Sequence, residues 1–189
     1  MRVWLLQSQL DAGFEDLQLV NFDDDHDKYF DNINEPIPIA DKWGNVEVYT
    51  LTEGYQSDFP HFWGSGDDVP VFSEKALYIV NDLIEDQVEL LPLNHPKHKY
   101  FAIHVLNAVD AINYDNAIVR QLKSGLRVSF TKYSFFPEKL IDQHIFKVYL
   151  DESVFSRVFV SDKFKKRVTS SSLVGYDFVE VWDSERSGS

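Results

Sequence analysis

Apolar positions along the chain fall into short runs with two different periods. The clearest run is helical. Ala76, Leu77, Val80, Leu83 and Ile84 recur at the spacing of one helix face. Ser73 stands where its hydroxyl can accept from the first free backbone N–H groups, and Glu74 stands at the positive end of the helix dipole. Other runs carry the two-residue alternation or the β-branched and aromatic richness of strands. They are Val3 to Leu6, Leu17 to Val20, Val46 to Thr50, Val88 to Leu93, Tyr100 to Val105, Val128 to Phe130, Ile145 to Leu150, Val154 to Val160 and Tyr176 to Trp182. A polar turn with Gly13 separates the first two, and Gly175 ends the connection before the last. A second short helix is predicted over Lys163 to Ser170, capped by Ser161 or Asp162. Asp23 to Asn34 reads as a polar, acidic loop, Glu35 to Pro38 as extended chain fixed by two prolines, and Gly54 to Pro70 as a long loop. Many strands, few helices and no regular βαβ alternation predict an α+β fold with a largely antiparallel β-sheet and a few short helices.

Composition adds three constraints. A chain of 189 residues, 44% hydrophobic and 15% aromatic, suits one domain with a sizeable core. The absence of cysteine excludes disulfides, thiolate metal sites and cysteine nucleophiles. Only four apolar residues, Val3 to Leu6, follow Met1-Arg2, too few for a signal-peptide core, and no run approaches the ~20 apolar residues of a membrane span. A cytoplasmic protein with no membrane association is the expectation.

Charge changes the picture more. Of the net −13, residues 1–70 hold 15 acids against Arg2, Lys28 and Lys42, a net of −12. Such a field repels nucleic acid and attracts basic partners, although acidity also serves solubility.

Candidate chemistry is sparse. In Asp23-Asp24-Asp25-His26-Asp27 the spacing of Asp23, Asp25 and Asp27 imitates the start of a calcium loop. Lys28 and Asn34 stand where that loop needs Gly and Glu. His95 and His98 flank Pro96 and read as a polar turn rather than zinc ligands, and His104, in an apolar strand, reads as a hydrogen-bonded core histidine. No phosphate-binding loop, dinucleotide turn or nucleophile elbow occurs, and Gly64-Ser65-Gly66 runs into Asp67-Asp68, which would repel phosphate. The basic run Lys163, Lys165, Lys166 and Arg167 has the spacing of a solvated helix face. These observations give no catalytic residue, no metal site and no cofactor.

Several segments carry a family resemblance. Pro70-Val71-Phe72-Ser73 before the first helix, Val88 to Pro92, Tyr100, and Asn107-Ala108-Val109-Asp110-Ala111 come first. Ile145-Phe146, Phe159-Val160-Ser161-Asp162 with Phe164-Lys165, Gly175-Tyr176-Asp177-Phe178 and Val181-Trp182 follow in order. Together, over roughly residues 70–182, they resemble a bacterial immunity-protein family of polymorphic-toxin systems, formerly a domain of unknown function. The resemblance implies a protein that binds and neutralises a cognate toxin, with no catalytic residues to carry over. It divides the chain into an acidic, variable part (1–69), a family-like region (70–182) and a disordered tail (183–189).

Charge and resemblance converge on one expectation. A cognate toxin with a basic surface would meet the acidic first third and the aromatic loop, through Asp23, Asp24, Asp25, Asp27, Asp58, Phe62, Trp63, Asp67 and Asp68. Two alternatives stay open at this point. One is a small metal-dependent hydrolase assembled in space. The other is a carbohydrate- or peptide-binding module built on the aromatic loop.

Overall fold

The computed structural model describes residues 1–10, 12–30, 33–64 and 69–186. Thirteen strands occur among them: β1 (Arg2–Ser8), β2 (Asp16–Leu19), β3 (Val46–Thr52), β4 (His61–Phe62), β5 (Val71–Ser73), β6 (Val88–Asn94), β7 (Lys99–Val105), β8 (Ala108–Val109), β9 (Ile118–Gln121), β10 (Arg127–Lys132), β11 (Ile145–Leu150), β12 (Ser153–Ser161) and β13 (Tyr176–Asp183). Three helices accompany them: α1 (Phe22–Asp25), α2 (Glu74–Ile84) and α3 (Asp162–Thr169). The fold is α+β, and most strand pairs are antiparallel.

Two sheets carry the structure. One has the order β13-β1-β12-β11-β8, the other β4-β2-β3-β6-β7-β5, and β9 and β10 form a separate two-stranded ribbon. The two strands on either side of Gly13 do not pair with each other. β1 pairs with β12 and β13, whereas β2 pairs with β3 and β4. Gly13, at φ +76°, lets the chain leave one sheet for the other.

The two-residue period explains how the sheets stack. Successive side chains point to opposite faces, and several strands feed two different cores. Trp4 and Leu6 of β1, Val158 and Val160 of β12, and Phe72, Ile103 and Val105 from the second sheet share a central cluster with the buried stripe of α2. Val3 of β1, Phe159 of β12, and Phe146 and Val148 of β11 turn the other way, into a cluster with Phe130, Phe135 and Trp182. Leu91, Leu93, Tyr100 and Ala102 turn outward from the second sheet and meet Phe30, Ile33 and Phe62. An apolar cluster thus lies outside each sheet and another between them, while Tyr49 and Leu51 of β3 stay exposed.

Both predicted helix caps form. Ser73 Oγ accepts from the Ala76 N–H at 3.0 Å, and Ser161 Oγ accepts from the Phe164 N–H at 3.2 Å. Pro92 lies within β6 opposite Phe101. At the other end of the chain Ser184 accepts from the Met1 ammonium at 2.9 Å and Arg186 pairs with Glu180. Of the expected tail, residues 187–189 lie outside the described residues.

Candidate functional site

The segment expected to be an acidic loop is helical. α1 is followed by one wide π-turn, His26–Phe30. Asp23, Asp24 and Asp25 occupy the first turn, where the unpaired N–H groups favour negative charge. A run of aspartates reads as loop because Asp is a poor helix former, but at a helix start it is well placed. The polar top has an aromatic base. Phe30 is buried and meets Trp43 at 5.5 Å and Phe62 at 5.5 Å between ring centroids, and Tyr29 meets Trp43 at 5.0 Å. Asp23, Asp24 and Asp27 are exposed and Asp25 is half-buried. Phe22, also exposed, stacks on His26 at 5.2 Å.

The long loop contributes less surface than its sequence suggests. Trp63 is 53% exposed and sits edge-on to His61 at 4.9 Å. Phe62, one residue earlier, is 1% exposed and belongs to the core. Asp58 is buried as well, so neither Asp58 nor Phe62 offers a contact to a partner. The Asp58 carboxylate accepts from the Ser73 hydroxyl at 2.8 Å, the Lys75 ammonium at 2.9 Å and the Val174 N–H at 3.1 Å. Its job is to tie the loop to the start of α2 and to the chain before β13. Asp67 and Asp68 lie outside the described residues. The structure therefore seats the acidic α1 segment on the cluster that holds Phe62, leaves Trp63 beside His61 outside that cluster, and takes Asp58 and Phe62 inside.

Among the described residues no group of three or more His, Asp or Glu side chains could hold a metal ion, and no helix is long and apolar enough to cross a membrane. The basic run on α3 is partly engaged. Arg167 holds Asp82 through two bonds at 2.6 and 3.1 Å, and Lys165 lies 3.2 Å from the centre of the Trp4 ring.

A buried polar relay passed unnoticed in the sequence because its members are far apart. Glu15 accepts from the Tyr100 hydroxyl at 2.5 Å and from the Thr50 hydroxyl at 3.2 Å. Thr50 Oγ1 lies 3.1 Å from Nε2 of His95, whose Nδ1 faces the backbone N–H groups of Lys97 and His98 at 3.4 and 3.2 Å. Two donors at Nδ1 require it to be unprotonated, so the proton sits on Nε2 and points to Thr50. Burial holds the His95 pKa below its ordinary value of 6.5, with Glu15 opposing and His98 and Lys97 reinforcing. Burial also pushes the Tyr100 phenol upward, reinforced by Glu15, so this hydroxyl stays a donor. His104 makes the core bonds expected of it, to Glu89 at 3.0 Å and the Glu35 carbonyl at 3.0 Å.

The unfolded chain takes a proton on His95 near 6.5, whereas the folded chain takes it only at lower pH. This contribution to stability is complete above that value and is lost as pH falls below it. His144 shifts in the same direction, by burial first and then by Lys163. The melting temperature is expected to fall between about pH 7 and about pH 5, and His95→Gln should flatten that slope. An unchanged slope in the variant would show that His95 takes up its proton alike in the folded and unfolded chain.

Residues 90–183 carry the segment shared by an immunity-protein family. The family model that matches there is the one described as Immunity protein family (Imm11). The match supports the resemblance read from the motifs and shifts its start: Pro70 to Ser73 and α2 lie before the matched segment. No curated protein matches the chain.

Proposed function

We propose that this protein is an immunity protein that binds a cognate toxin and blocks it without catalysis, and that the acidic α1 segment with Trp63 is its toxin-facing surface. The observation that carries the function is the family match over residues 90–183. The surface rests on charge and exposure: Asp23, Asp24 and Asp27 stand clear of the protein on a helical turn held rigid by Phe30. A rigid acidic projection favours a partner with a basic surface, by raising the encounter rate and by fixing orientation. It disfavours nucleic acid.

The test is association with the cognate toxin domain that this reading implies. Replacing Asp23, Asp24, Asp25 and Asp27 together by Lys should slow association about 10-fold or more at low salt and flatten its salt dependence. Unchanged rate and salt dependence would overturn the surface assignment. Failure of the unaltered protein to bind or protect against that toxin would overturn the function itself.

A further inference from the structure

Between Asp115 and Glu138 the chain carries four cations, Arg120, Lys123, Arg127 and Lys132, and no acid. This stretch builds the β9–β10 ribbon, which lies outside both larger sheets. Val119 and Phe130 pair across the ribbon and turn inward onto the Phe135–Phe159 cluster. Ile118 and Arg120 alternate with Val119 and point away from that cluster. Ile118, Leu122 and Leu126 are 57%, 43% and 61% exposed. Arg127 is engaged with Asp151 and the Tyr114 ring, whereas Arg120, Lys123 and Lys132 are exposed and form no salt bridge among the described residues.

An apolar tip ringed by three free cations calls for an acidic surface that also offers apolar contact. The same chain has one. Around Asp23, Asp24 and Asp27 stand exposed Val20 and Phe22. The two surfaces rest on different clusters of the molecule. The acidic segment is seated on the outer cluster of the six-stranded sheet, the ribbon on the outer cluster of the five-stranded sheet, and the central cluster lies between. Like charge opposes ribbon-to-ribbon and acid-to-acid contact, which leaves opposite faces of two copies as the favoured pairing.

We propose that the ribbon docks, head to tail, on the acidic face of a second copy of this chain. A toxin and a second copy would then compete for the acidic face. The self-association itself is measured without toxin, so its failure leaves the toxin reading untouched.

Sedimentation velocity over a dilution series of the purified full chain tests the proposal. The mean mass should rise with concentration at about 20 mM salt and return to the monomer at about 0.5 M. A ribbon variant (Arg120→Glu, Lys123→Glu, Lys132→Glu) and a face variant (Asp23→Lys, Asp24→Lys, Asp27→Lys), each checked for an unchanged melting temperature, should lose association at least about 10-fold when alone and regain it when mixed. A monomer at every concentration in low salt overturns the proposal. So does self-association that either variant leaves intact, or variants that fail to rescue one another.

Discussion

Phe159→Ala is expected to remove about 4 kcal/mol of folding stability, in the range for a fully buried aromatic replaced by a methyl group. Phe159 has no solvent exposure and meets Tyr133, Phe146 and Phe135 at ring-centroid distances of 5.4, 5.8 and 6.0 Å. It sits on β12, between β1 and β11, so no edge can relax to fill the gap. Denaturant unfolding should show the midpoint moving with little change in slope. A loss below about 1 kcal/mol would mean that the Phe135–Phe146 layer collapses onto the vacancy and is not the close-packed core it resembles.

The alternation that buries Phe159 on one side and Val158 and Val160 on the other was readable in the sequence, because strand residues report burial two by two. So was α2, whose five apolar stripe residues are its buried ones, and so were both serine caps. Partner choice was not readable. β1 lies between the last two long strands, and β3 joins β6 in parallel through two residue pairs. Such pairings depend on contacts across most of the chain, which local pattern does not encode. The β9 strand, Ile-Val-Arg-Gln, is short and half polar and has no local signature. The charge tally of the later residues concealed the ribbon's four cations, because acids elsewhere cancel them.

Asp58 shows why the candidate site was legible only in part. In the sequence it is one more acid beside aromatics. In the structure three donors from two distant segments converge on it. Asp58→Ala is therefore expected to cost about 3 kcal/mol, since it strands the Ser73 hydroxyl and the Val174 N–H away from their acceptor and removes the partner of Lys75. Thermal or denaturant unfolding measures the loss. Toxin association by the folded fraction should be unchanged. Near-normal stability with binding lost would place Asp58 back on the contact surface. Asp23, Asp24 and Asp27 should behave in the opposite way, because they are exposed and bond to little else.

The position of β1 bears on how the protein comes into being. Its neighbours β12 and β13 begin at Ser153 and Tyr176, so β1 must wait for strands far along the chain before it can be covered. Until then Trp4 and Leu6 have no layer to enter, and the five-stranded sheet lacks its second strand. Folding of that sheet thus waits on contacts between distant parts of the chain, and β1 stays exposed to aggregation until they form.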